Sequence, residues 1–182
     1  DANHISGPSR TGDGLYLAIR QAMEEAAVLA EDVSFMNTHG TATVYNDEME
    51  SKAIHLAGLE TVPVHSLKSY FGHTLGASGV IESIICIHEL KENVLFGTLG
   101  YEKPGVSMPI LVQADHQEIP MKHCIKTASG FGGCNAAIVL TLPAYQKQPS
   151  SVQSPVTVHT TATVSIENSC LSMNGETVFS SS

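Results

Sequence analysis

Val62-Pro63-Val64-His65-Ser66-Leu67 opens a run that continues through a stretch punctuated by Gly72, Gly76 and Gly79. It ends in Val80-Ile81-Glu82-Ser83-Ile84-Ile85-Cys86-Ile87-His88-Glu89-Leu90. The first six residues predict a strand, with Pro63 acceptable only near its beginning because proline cannot donate to a sheet ladder. The glycine-bearing stretch predicts a loop. Residues 80–90 are apolar on nearly every side, the pattern of a buried helix. The same order of signals stands immediately upstream. Val33-Ser34-Phe35-Met36-Asn37 predicts a strand, His39-Gly40-Thr41-Ala42-Thr43 is too small and polar for a core, and a helix runs to about Leu56 and stops near Gly58. Asp47 with Glu50 three positions later resembles a helix start of the capping-box kind. Two strand–loop–helix units in succession argue for a parallel α/β sheet.

The rest of the chain extends this reading. Leu15, Ala18, Ile19, Ala22, Met23, Ala26 and Leu29 recur at steps of three and four, which predicts an amphipathic helix over 15–30. Further strands are expected at 110–113, 123–128 and 136–142, the last two joined across a glycine-rich turn. Residues 144–182 change character to Ser, Thr, Val, Gln and Pro, so they are set apart as a tail or linker, with 156–166 readable as an edge strand or as unstructured.

Composition narrows the function classes. The chain has 182 residues, 42% hydrophobic and 15% charged, and 18 acids against 9 bases give a net charge of -9. That balance repels a phosphate backbone, so nucleic acid is excluded as a partner. Apolar stretches are too short and interrupted to span a bilayer. Asp1-Ala2-Asn3-His4 shows no basic region followed by an apolar core. Cysteines 86, 124, 134 and 170 form no CxxC pair, the pattern of reduced thiols in a cytoplasmic protein. His88-Glu89-Leu90-Lys91 does not complete an HExxH helix and no other spacing suits a transition metal, so no metal is expected.

Chemistry gathers in three loops: Asn37 to Thr43, Ser66 to Gly79, and Ala128-Ser129-Gly130-Phe131-Gly132-Gly133-Cys134-Asn135. The first two follow predicted strands, and ligands in open α/β sheets bind beyond the carboxyl ends of strands. Such a sheet brings His39, Lys68 and His73 towards one side. The third loop offers consecutive backbone N–H groups with few side chains in the way, which suits a developing oxyanion.

In this order and at these separations, the three loops resemble the C-terminal signature motifs of the β-ketoacyl synthases. The opening Asp1-Ala2-Asn3-His4-Ile5-Ser6-Gly7-Pro8 is similar to the segment that begins that half, and the resemblance covers residues 1–142. It implies a thiolase-like half-fold, a mixed and mostly parallel sheet with flanking and buried helices, over 1–143. It also implies acyltransferase chemistry, the decarboxylative Claisen condensation of acyl and malonyl thioesters in fatty-acid or polyketide synthesis.

His39 and His73 fall at the positions of the two enolate-stabilising imidazoles and Lys68 at the motif lysine, with Glu82 and Asn135 in support. Thr41 and Thr43 fall at hydroxyls that contact phosphopantetheine. Phe131 falls at the gating residue, flanked by Gly130 and Gly132 in the oxyanion turn. No cofactor is implied beyond the phosphopantetheine that arrives on acyl carrier protein, which is the implied partner alongside a second synthase subunit in a homodimer or heterodimer.

The family's nucleophilic cysteine belongs to an N-terminal half, and none of the four cysteines takes its place, so the chain is expected to be inactive alone. Cys134 stands where threonine is usual, and Tyr45-Asn46-Asp47 replaces the usual Pro-x-Gly-Asp. The alternative is a non-catalytic partner subunit resembling a chain-length factor, against which the full set of His39, His73 and Lys68 counts.

Overall fold

The computed structural model describes residues 7–145, and beyond them the backbone of three strands, Thr163–Glu167, Cys170–Met173 and Glu176–Ser180. The opening residues 1–6, with His4, and the segment 146–162, with His159, lie outside the described residues.

Helix α1, Asp13–Ala26, buries Leu15, Ile19 and Ala22 as its periodicity predicts. It ends before residue 30 because Ala27 turns left-handed at φ 51°, and the Val28 N–H donates back to the Met23 carbonyl at 3.0 Å. This is a Schellman-type stop made without glycine, and it leaves Leu29 exposed rather than on the apolar face. Strand β1 is Val33–Asn37, bounded as the sequence predicts and buried at every position except Ser34.

Helix α2, Val44–Leu56, begins three residues before Asp47. Thr43 precedes it without a side-chain cap, and Glu50 is buried, so the capping-box reading of Asp47 and Glu50 fails. Strand β2 is only Val64–His65. Pro63 lends its carbonyl to the Met36 N–H at 2.8 Å but has no N–H to extend the ladder, and Leu67 is already in helical conformation. The expected strand at 110–113 is a single parallel bridge, Val64 to Val112.

One helical turn, α3 (Lys68–Phe71), leads to α4 (Ser78–Glu92), so Gly79 lies in a helix rather than in the loop. Helix α4 corrects the all-round-buried expectation. Its inward stripe is Ser78, Glu82, Cys86, Glu89 and Leu90, while Val80 and Ile84 are exposed.

Strands β3 (Val94–Leu95) and β4 (Gln117–Glu118) form a small antiparallel pair. Strands β5 (His123–Gly130) and β6 (Cys134–Thr141) form a hairpin in continuous register from His123–Thr141 to Gly130–Cys134. The tail supplies β7 (Thr163–Glu167), β8 (Cys170–Met173) and β9 (Glu176–Ser180), with β7 parallel to β6. The mixed sheet runs β2-β1-β5-β6-β7-β8-β9, with β2, β1 and β5 mutually parallel.

Successive side chains of a strand point to opposite faces, and β1 shows the consequence. Met36 joins a core with Leu15, Ile19, Met49 and Ile54 of α1 and α2, whereas Phe35 joins a second core with Cys86 and Leu90 of α4. Helices thus cover both faces, and the carboxyl ends of β1, β2 and β5 open at one edge.

Candidate active site

Immediately after β1 the chain turns at Thr38-His39-Gly40, and a buried carboxylate holds the turn. Glu50 accepts the His39 N–H at 2.8 Å on one oxygen and the Gly40 N–H at 2.7 Å on the other. Asn46 Nδ2 and the Thr127 hydroxyl add bonds at 2.8 and 3.3 Å. Burial pushes the Glu50 carboxyl above the usual carboxylate range, against the backbone donors that favour its anion. Gly40 takes φ +47°, and a Cβ there would stand 2.5 Å from the Ser66 side chain. The room is used: the Ser66 hydroxyl donates to the Gly40 carbonyl at 2.7 Å, tying the first loop to the second.

His39 is buried, and its ring meets the ring of His73 edge-on, with centroids 5.0 Å apart and planes at 80°. The Leu75 N–H donates to His73 Nδ1 at 3.1 Å, and the Ser78 hydroxyl lies 3.1 Å from the same nitrogen. Because Nδ1 accepts, the proton of a neutral His73 sits on Nε2, which is left as the donor. Burial, and after it the charges of Lys68, Lys126 and His73, push the His39 pKa down to about 4. At neutral pH His39 is an uncharged hydrogen-bond donor.

Beneath these rings Glu82 bridges two ammoniums, Lys68 Nζ at 2.7 Å and Lys126 Nζ at 2.7 Å, all three side chains buried. Burial alone would raise the Glu82 carboxyl, but the two cations hold it below its usual range. Burial also lowers Lys68, opposed by its bond to Glu82. One carboxylate between two lysines leaves this cluster net positive, which adds to burial in keeping a proton off His39.

Thr41 and Thr43 stand exposed at the loop end with their hydroxyls 2.8 Å apart. Strand register places Asn37 opposite Lys126, so β5 continues past the end of β1 to Gly130 on the His39 side of the sheet. Phe131 sits at the hairpin tip, 80% exposed, so it caps no core here. Gly132 and Gly133 follow with φ +76° and +75°, and Asn135 Nδ2 donates to the Gly133 carbonyl at 3.3 Å. Cys134 is exposed, whereas Cys86 and Cys124 are buried.

The structure therefore brings His39, His73, Lys68 and Glu82 into one cluster, with the threonines beside it and the glycine turn at the same sheet edge. Sequence reading missed Glu50 and Lys126. Glu50 carried a legible signal, an acid four residues after Asn46 on an otherwise half-apolar helix, but it was spent on a cap. Lys126 carried none, since a single cation inside an apolar strand declares its partner only in three dimensions. One grouping of potential metal ligands occurs among the described residues, His65 with Cys86 and Glu89.

The sequence pattern of the beta-ketoacyl synthase C-terminal domain matches residues 1–102. The chain is 35% identical over 144 residues to 3-oxoacyl-(acyl-carrier-protein) synthase 2 of Vibrio harveyi, covering 76% of this chain and 35% of that protein. It is 34% identical over 147 residues to a putative polyketide beta-ketoacyl synthase 1 of Streptomyces halstedii, covering 79% and 35%. The crystal structure of a beta-ketoacyl synthase from Burkholderia phymatum superposes with TM-score 0.71 at 31% identity, over 76% of this chain and 34% of that one. The ishigamide ketosynthase/chain length factor superposes with TM-score 0.71 at 29% identity, over 76% and 34%. The chain thus spans about a third of the length of the curated relatives it matches.

Proposed function

The chain belongs to the β-ketoacyl synthase C-terminal domain family, and on that premise we propose that it carries the decarboxylating machinery of a β-ketoacyl-acyl-carrier-protein synthase. The observation that carries the proposal is the edge-on pair of His39 and His73, with His39 held neutral above two buried ammoniums.

In this reading a malonyl thioester on a carrier protein enters with its phosphopantetheine arm past Thr41 and Thr43. Its C–C bond to the carboxylate breaks, carbon dioxide leaves, and the electron pair remains as an enolate. The N–H of each imidazole donates to the enolate oxygen, worth most in a site shielded from water. The carbanion then attacks an acyl thioester held on a cysteine, forming a C–C bond as the thiolate leaves. None of the described cysteines stands by the imidazoles in a position to serve. Cys86 and Cys124 lie in the core, and Cys134 opens β6 at the hairpin tip.

Because the chain spans about a third of the length of its relatives, we assign the thiol to the remaining part of the synthase. Phe71, Leu75, Val80 and Ile84 are exposed along the segment that follows Lys68, and we assign their cover to that same part. A homodimer or heterodimer and an acyl carrier protein are its proposed partners, and the 182-residue chain is proposed to be inactive alone. Among the described residues no helix is long and apolar enough to cross a membrane.

The test is malonyl-thioester decarboxylation by the complete synthase. His39→Ala and His73→Ala should each slow it by about 10²–10³-fold, the usual loss for one oxyanion donor. Retained decarboxylation in both variants rejects the proposal. A partner subunit resembling a chain-length factor has no use for both imidazoles and the lysine, and would show no loss.

A further inference from the structure

Below the active-site loops, on the core side of β2, three donor side chains meet that spacing along the chain does not connect. His65 comes from β2, and Cys86 and Glu89 stand one turn apart on α4, hence on one helix face. All three are buried, and one donor atom from each lies within 4.8 Å of the others.

Their polar capacity is not used up. Glu89 Oε1 accepts the Phe96 N–H at 2.8 Å, which fixes the carboxylate. Its Oε2, fully buried, has no hydrogen-bond partner among the described residues, and neither has His65 Nδ1. Glu89 Oε2 lies 3.4 Å from His65 Nε2, an ion pair when the ring is protonated, and Asn37 Nδ2 lies 3.5 Å from the same nitrogen. Two ligands of a tetrahedral zinc ion, each roughly 2.0–2.2 Å from it, stand roughly 3.4 Å apart. In the metal-free protein this buried carboxylate depends on a protonated His65 for its charge partner, and a metal cation between these groups takes over that role. The Cys86 thiol also contacts Cys124 of β5, a second sulfur at the edge of the cluster.

We infer that His65, Cys86 and Glu89 bind a divalent transition-metal ion of the zinc class. Nitrogen, thiolate and carboxylate donors in a dry core match zinc and cobalt(II), and disfavour magnesium and calcium, which need more oxygen ligands. A site closed on all sides by protein is structural. Its effect is to pin β2, which runs into the Ser66–Lys68 turn, to α4, which carries Glu82. The inference stands apart from the proposed activity.

The test uses the 182-residue chain stripped with chelator and titrated with Co²⁺ and Zn²⁺. To silence the other thiols, the background is Cys134→Ser/Cys170→Ser. One equivalent of Co²⁺ should give a thiolate-to-cobalt charge-transfer band with visible d–d bands of tetrahedral intensity, displaced by one equivalent of Zn²⁺. Cys86→Ser should remove the charge transfer from that sulfur. Glu89→Gln should weaken binding by more than the ~10–100-fold typical of losing a mere outer-shell partner. Circular dichroism of each variant, and the Glu89→Gln result should Cys86→Ser not fold, keep the readings independent. Absence of the band in the background chain overturns the inference. So does an unchanged spectrum and affinity in Cys86→Ser or Glu89→Gln, and so does a band that vanishes once Cys134 and Cys170 are replaced.

Discussion

His39 and His65 sit at the carboxyl ends of two adjacent parallel strands, both buried, yet the protein moves their proton affinities in opposite directions. Burial lowers both. At His39 the neighbouring charges, Lys68 and Lys126, act in the same sense and bring the pKa to about 4. At His65 the neighbours are Cys86 and Glu89, which overcome burial and raise it to about 9. Burial is the leading cause at His39, and the groups packed beside each ring decide whether its lowering is reinforced or reversed. One end of β1 receives a neutral donor, and one end of β2 receives a cation or a metal ligand.

The largest effect should come from the group that sets the first environment. Glu82→Leu leaves two buried ammoniums unpaired and should destabilise the chain by about 3–5 kcal/mol in urea unfolding. Adding Lys68→Met and Lys126→Met should restore most of that loss. If Glu82→Leu alone unfolds at the wild-type midpoint, the ion cluster is solvated and the contrast between the histidines loses its cause.

The pH dependence of stability separates the two rings next. His39 is neutral when folded, and its unfolded form takes up a proton from about pH 6.5. Its contribution is present above 6.5 and falls progressively, by up to about 3 kcal/mol, as pH drops to about 4. In the metal-free chain His65 runs the other way: its contribution is complete below 6.5 and is lost as pH rises through about 9. Stability of His39→Leu relative to the parent should therefore improve towards acid, and that of His65→Leu towards alkali. Parallel pH curves for the two variants would break the comparison.

How much of this could be read from the chain follows from the same residues. Strand β1 was legible to its ends because Val33 to Asn37 is an apolar run with a polar loop behind it. The hairpin of β5 and β6 was legible from its glycines. Helix α1 was read too long because nothing in Ala27 announces a left-handed residue, which glycine would have done. Helix α4 was read as apolar all round, yet its buried stripe holds Glu82, Cys86 and Glu89, while Val80 and Ile84 are exposed and Ile81, Ile85 and Ile87 are half-buried. Hydrophobic counting failed there because the core of this helix is a set of ion pairs and thiols. For the site, His39, His73 and Lys68 were legible through their flanking loops. Lys126 and the grouping around His65 were not, since each is defined by partners far off in the chain, and Glu50, legible four residues after Asn46, is a loop anchor rather than a cap.

The smallest effect is the sharpest. Lys68 and Lys126 both press on His39, Lys68 the more strongly. Removing either ammonium also frees Glu82, whose charge raises His39, so both consequences have the same sign. Lys126→Met should therefore raise the His39 pKa as followed by ring-proton NMR, and Lys68→Met should raise it further, while His65 stays where it is. Lys126→Met leaves Lys68 in its bond to Glu82, so the change in stability should be well below that of Glu82→Leu. A His39 titration unmoved in both variants would mean that burial alone holds the ring neutral, and the cations would lose the role that sets this histidine apart from its neighbour on β2.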